Sequence, residues 1–167
     1  MKRRLKNKGM TSIELLVSFV IVAAIVVSLF NVVMNYKTKE QIQSIENSVV
    51  EYTNNLEKVI QDDLIKKNVT SVVVANDQKS ANFTLQDNTV THLELDDVNQ
   101  QIRYGTLDNI ITYQLPAITE LTLSSKSTIE LHENGVSVIK IIIILTHPNL
   151  KNESYQTTII APINFNA

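Results

Sequence analysis

The sequence predicts an α+β fold: a long N-terminal helix, membrane-spanning in its first half and amphipathic in its second, packed on a C-terminal antiparallel β-sheet. Three observations carry this expectation. An apolar run fills residues 13–34 with Glu14 as its one charge. A stripe of apolar residues at spacings of three and four follows, and residues 68–167 then break into short β-branched runs divided by turn residues. Spacings of three and four place side chains on one helix face, whereas strands alternate with a period of about two.

The run over 13–34 comprises 22 residues. At about 1.5 Å of rise per residue it reaches roughly 33 Å, enough to cross a hydrocarbon layer about 30 Å thick. Lys2, Arg3, Arg4, Lys6 and Lys8 precede it and only Lys37 and Lys39 follow closely. Positive charge is retained on the cytoplasmic side, so the N-terminus is expected in the cytoplasm and everything after Met34 outside. A cleavable secretory signal has an apolar core of about 7–15 residues and a small-x-small cleavage site. This core is longer, and Asn31 to Tyr36 offers no such site. An uncleaved signal anchor accounts for the leader and the span but not for Glu14. A carboxylate at the bilayer centre costs about 2.5–3.5 kcal/mol on insertion scales, less near an end where it can snorkel, so it usually has a partner. Thr11, Glu14 and Ser18 form one narrow polar stripe, the kind of face that packs against protein. Ala24 and Ser28 on the same helix would allow close approach of a neighbour.

Gly9-Met10-Thr11-Ser12-Ile13-Glu14-Leu15-Leu16-Val17 behind a short basic leader resembles the class III signal of type IV prepilins and type II secretion pseudopilins. That signal has a glycine before the cut, a hydrophobic residue after it and a glutamate at the fifth mature position. The likeness covers about residues 2–35. It implies that a prepilin peptidase/methyltransferase cuts after Gly9 and methylates Met10, and that Glu14 acts in assembly with other pilin or pseudopilin subunits. Met10 stands where phenylalanine is commoner, Thr11-Ser12 where Thr-Leu is usual, and Asn31 where major pilins often carry proline; no glycine interrupts the span. These departures point to a minor subunit. The same logic follows from physics: cutting after Gly9 removes five cations and leaves an amine on Met10, about 6 Å along the helix axis from Glu14. In a staggered bundle the amine of one subunit can meet Glu14 of another, and low dielectric strengthens that pair while penalising an unpaired acid.

The resemblance implies a minor pilin or pseudopilin of a type IV pilus, a type II secretion system or a competence pseudopilus. Such a protein begins as a single-pass protein of the inner or cytoplasmic membrane and is later carried at the cell surface. The alternative is a monomeric, membrane-anchored surface binding domain with an uncleaved anchor. Composition suits either. The chain has 15 Lys+Arg and 17 Asp+Glu; without the five leader cations the balance is acidic, a poor match for nucleic-acid phosphate, so no direct nucleic-acid binding is expected. No cysteine is present, so no disulfide or thiol site is available, and three Gly and three Pro argue against long disordered linkers.

The expected domains are a leader over 1–9, a helix over 10–67 and an extracytoplasmic β domain over 68–167. The helix divides into a transmembrane part, 13–34, and an amphipathic part, 35–67. In the latter, Ile42, Ile45, Val49, Tyr52, Leu56 and Val59 form the buried stripe; six positions are too few for a free coiled coil. Asn68 closes the helix. Strands are expected over 69–75, 81–86, 90–95, 101–104, 110–115, 120–124, 128–132, 136–146 and 155–160, joined as an antiparallel meander. Asn134-Gly135 suits the positive φ of a type I′ hairpin turn. Residues 139–145, almost continuously apolar, read as a central strand buried on both faces.

Little in the chain points to catalysis. His92, His132 and His147 lie far apart and none has a metal-ligand spacing. Asp62-Asp63 and Asp96-Asp97 could meet calcium, but no Asp-x-Asp-x-Asp-Gly loop surrounds them. No phosphate loop, nucleophile elbow or triad is legible, and the sequons at Asn68, Asn82 and Asn152 are short enough to arise by chance. The chain reads as a substrate of enzymes with no cofactor of its own.

Overall fold

The computed structural model describes residues 11–134 and 136–163. One 55-residue helix, α1 (Ser12–Lys66), precedes all the strands. The chain divides into two units between Gln41 and Ile42. In the first unit the large apolar side chains of α1 from Ile13 to Met34 are 49–76% exposed and, apart from the narrow stripe of Thr11, Glu14 and Ser18, occupy most of the helix surface. Such a span needs an apolar surround, and this one is compatible with a single-pass membrane anchor.

The second unit is α+β: the rest of α1 packs on antiparallel sheet. The buried stripe of α1 is Val49, Thr53, Leu56, Ile60 and Leu64, with Ile45 and Tyr52 partly covered. Val59, expected within the stripe, is 42% exposed. With about 3.6 residues per turn, a step of four from Leu56 returns to the buried face at Ile60 and a step of three falls short of it. Thr53 is buried at no polar cost because its hydroxyl donates to Val49 O at 2.9 Å. The helix ends where Asn68 turns left-handed at φ 49°, a conformation Asn tolerates.

Among the described residues nine strands follow, matching the nine expected runs to within a few residues, but they form two sheets where one meander was expected. The first sheet is a meander of β1 (Val69–Val74), β2 (Ser80–Leu85), β3 (Val90–Asp96), β4 (Gln101–Thr106) and β5 (Asn109–Gln114). After β5, Leu115-Pro116 interrupts the pairing, since proline has no N–H to give a ladder. The second sheet is built on β8 (Val136–Thr146). β6 (Thr122–Leu123) and β7 (Thr128–Asn134) share one of its edges, and β9 (Ser154–Pro162) pairs along the other.

β8 is central, as expected, but only one of its faces is fully buried. Ile139, Ile141, Ile143 and Leu145 are 0% exposed, whereas Lys140, Ile142 and Ile144 are half-buried. The buried face meets Ile129 of β7 and Ile159 and Ala161 of β9 across the ladder; the other face shares its row with the half-exposed Ile160. The β7–β8 hairpin forms with Glu133 opposite Ser137 and Asn134 opposite Val136. The expected Asn134-Gly135 turn falls on Gly135, which lies outside the described residues. β4 runs past Tyr104, where the sequence suggested its end, because Gly105 admits β5: a Cβ there would sit 2.3 Å from Asn109 O.

Side chains tie the layers together. Tyr104 OH donates to Asp63 Oδ2 at 2.7 Å, Tyr52 OH to Tyr113 O at 3.2 Å, and Gln61 Nε2 to Ile160 O at 3.4 Å. The Lys79 ammonium donates to Ser125 O and, at 2.7 Å, to Ser127 O. The Gln100 side chain brackets Leu123, donating to its O at 3.4 Å and accepting from its N–H at 2.5 Å.

Ile141→Ala should cost about 2–5 kcal/mol, and Ile160→Ala, on the open face, no more than about 0.5 kcal/mol, measured by denaturant unfolding of the full chain in micelles. Equal costs would mean that the buried face has been assigned wrongly. Burial, with the neighbouring Tyr113 adding to it, pushes the Tyr52 hydroxyl up to about 12. A phenol ionises near about 10 when unfolded, so the unfolded chain releases its proton first and stability falls as pH rises from about 10 to about 12. Tyr52→Phe should shrink that alkaline loss, read from midpoints across the same pH range.

Candidate processing and assembly site

Gly9 and Met10, the expected processing residues, lie outside the described residues. Thr11 and Glu14 are described, and they form a reciprocal cap. Thr11 stands just before the first helical residue, Ser12, and its carbonyl accepts the first intrahelical bond, from Leu15 N–H at 3.1 Å. The Glu14 N–H donates to Thr11 Oγ1 at 3.3 Å. In return Glu14 Oε2 accepts from the Thr11 N–H at 2.8 Å and from its hydroxyl at 3.0 Å. This is a capping box, in which residues at N-cap and third helical position satisfy two of the N–H groups that every helix start leaves unpaired. The acid also lies at the positive end of the helix dipole.

Thr11-Ser12-Ile13-Glu14 carries the capping-box pattern openly, and the polar stripe read from the sequence placed Thr11 beside Glu14 without assigning the cap. The cap changes the electrostatic problem posed by Glu14, because the acid has local donors before any neighbour arrives. Both donors converge on Oε2. Among the described residues Oε1 accepts no hydrogen bond, and Glu14 is exposed. One oxygen therefore holds the helix start, while the other has no hydrogen bond among the described residues. Ser18, the third member of the stripe, is half-buried.

The acidic pairs noted in the sequence are engaged by protein groups. Asp62 pairs with Lys66 at 3.0 Å and Asp63 with Lys67 at 2.7 Å. Asp97 lies 3.7 Å from the Lys79 ammonium. Asp96 accepts from the Asn99 side chain at 2.8 Å and its N–H at 2.9 Å, from Gln101 at 3.2 Å and from Arg103 at 3.3 Å. These donors, Asn99 foremost, hold the Asp96 carboxyl at about 2. The three histidines stay apart: His92 meets Asn82 and Glu94, His132 meets Glu130, and His147 is buried with Nε2 3.0 Å from Thr119 O and Nδ1 accepting from Asn149 N–H at 3.0 Å. Among the described residues no three His, Cys, Asp or Glu side chains gather as a metal site.

No family model matches the chain, and neither the curated proteins nor the solved structures include a match.

Thr11→Val should cost the helix start about 0.5–2 kcal/mol, read as faster amide exchange in the first turn of α1 with the β-sheet amides unchanged. Because the folded Asp96 carboxyl sits below its unfolded value, its contribution is present above about pH 4 and is lost as pH falls toward about 2. Asp96→Asn should flatten the acid limb of the stability profile over that window.

Proposed function

We propose that the chain is a minor pilin or pseudopilin, a structural subunit of a type IV pilus, type II secretion or competence pseudopilus. In this reading a prepilin peptidase/methyltransferase cuts after Gly9 and methylates Met10, and the subunit joins its neighbours through Glu14. The observation that carries it is Glu14 itself: one acid on an otherwise apolar span, exposed, with Oε1 unbonded among the described residues. The leader charges, Gly9 at the junction and the α+β layout with its long N-terminal helix support the same reading.

The capping box gives this role a concrete form. Thr11 N–H and hydroxyl orient the carboxylate and keep it hydrogen-bonded while the subunit waits in the membrane. Removal of the leader turns Met10 into an amine, and the amine of an adjacent subunit approaches Oε1 without displacing Thr11 from Oε2. Pairing in low dielectric is strong enough to set the stagger between helices, so Thr11 is a positioning residue and Glu14 the contact. The protein is in this reading a substrate and a building block, with the outer domain free to meet other subunits or cargo.

One observation favours the second reading, a monomeric membrane-anchored surface domain with its leader retained. Thr11 satisfies Glu14 within the chain, so the acid needs no neighbour to be tolerated near the membrane end.

The two readings separate at the N-terminus. Mass spectrometry of protein from normal cells should find a methylated Met10 as the first residue, and Gly9→Val should leave residues 1–9 attached. Glu14→Gln should abolish co-isolation with filament subunits while the protein remains in the membrane. An intact leader in unmodified cells would leave the anchored monomer as the surviving reading, and unchanged co-isolation of the Glu14 variant would overturn the role of Glu14 in assembly.

A further inference from the structure

Strand edges carry unpaired N–H and C=O groups that invite another strand, and folded proteins usually cover or charge them. In the second unit the other edges are engaged. β1 lies beside β7, and Ile129 N–H donates to Gln78 O at 2.8 Å just beyond β1. β6 has both backbone groups of Leu123 bonded by the Gln100 side chain. β9 gives Ile160 O to Gln61 of α1.

β5 differs. It ends the first sheet, and all of its residues except Tyr113 are exposed. Its one backbone bond outside the β4 ladder, among the described residues, is the one that Tyr113 O accepts from Tyr52. Leu107 N–H reaches Val90 O of β3 at 3.4 Å, so Thr106 faces β5, and the alternation of an antiparallel ladder turns the N–H and C=O of Ile110, Thr112 and Gln114 away from β4. Asn109-Ile-Ile-Thr-Tyr-Gln114 contains no charged residue and no proline. Beneath this edge is a cleft of about 340 Å³ lined by Ile111, Tyr113, Tyr104 and Val59, with the ion pairs Asp62–Lys66 and Asp63–Lys67 at its side.

We propose that β5 is a self-pairing edge, joining two copies of this chain as antiparallel β5–β5 neighbours centred on Thr112. A two-fold axis there sets Thr112 against Thr112 and brings Ile111 of each copy opposite Tyr113 of the other. Aromatic against β-branched is a favourable cross-strand pair, and here it forms twice, on the cleft side of the sheet where Ile111 is 50% exposed. Ile110 then faces Gln114 on the outer side. Two copies of one strand always place like against like about the axis, so a charged edge would repel itself, and this edge has no charge. The rest of the chain after the leader is acidic, so a strand without charge lets two copies approach, and the charges lining the cleft beneath it are paired within the chain, Asp62 with Lys66 and Asp63 with Lys67. The arrangement is isologous and closes at two.

The full chain in detergent micelles, weighed by sedimentation over a range of protein concentrations, tests this. Wild type should reach a dimer. Thr112→Lys and Thr112→Glu, each setting like charges face to face on an exposed residue, should lose dimer several-fold with unchanged circular dichroism, and mixing the two variants should restore it as a heterodimer. Variants that dimerise as wild type does would place the contact elsewhere, in α1 for example, and overturn the proposal. So would a wild type that stays a single copy, an edge found occupied by a different polypeptide, or a mixture of the variants that stays monomeric. None of these outcomes depends on whether Gly9 is cut.

Discussion

The second unit depends on one apolar seam, the stripe of α1 laid over the buried faces of two sheets. Val49, Leu56, Ile60 and Leu64 supply the helix side, and Phe83, Leu93, Ile102, Ile141 and Ile159 are among the buried strand residues. Neither partner could bury its apolar surface alone, since a helix stripe and a one-sided sheet each need a second layer. With no cysteine available, this seam and the hydrogen bonds around it hold the unit. The bonds sit where they help: Tyr104 to Asp63 and Tyr52 to Tyr113 O place phenols at the margins of the seam, where the rings are buried and the hydroxyls find acceptors.

The same helix meets two different surrounds. Before Gln41 its apolar residues are exposed on every side, and after Ile42 they are buried on one. The change follows composition: the first stretch has one charge in its apolar run, and the second has Glu, Lys, Asn and Gln on three sides of a stripe. A span compatible with a membrane anchor and a stripe for core packing are written in one continuous element. At its start Glu14 does what an apolar residue could not, closing the first turn with one carboxylate oxygen.

Two sheets arise where one meander was expected because connections decide partnership as much as strand propensity does. Pro116 ends pairing after β5, and β8, eleven residues long, has room on one edge for both the short β6 and β7. β9 then takes the opposite edge whole. Gln100 and Lys79, at turns between strands of the first sheet, reach the backbone of the second, so the two sheets are fastened by polar side chains as well as by the common core.

Local pattern determined the elements. The apolar run, the three-four stripe and the alternating runs each state a period, and period alone separates helix from strand; Asn68, with its tolerance of positive φ, marks the end of α1 in advance. The capping box was equally legible in Thr11-Ser12-Ile13-Glu14, since its partners lie within one turn. Tertiary structure decided what depends on distant contacts: that Ile60 and not Val59 faces the core, that only the odd-numbered side of β8 is sealed, that Gly105 carries β4 onward, and that β5 is left open. Those outcomes turn on which surface lies opposite, and a one-dimensional pattern holds the periodicity of a face without naming its neighbour.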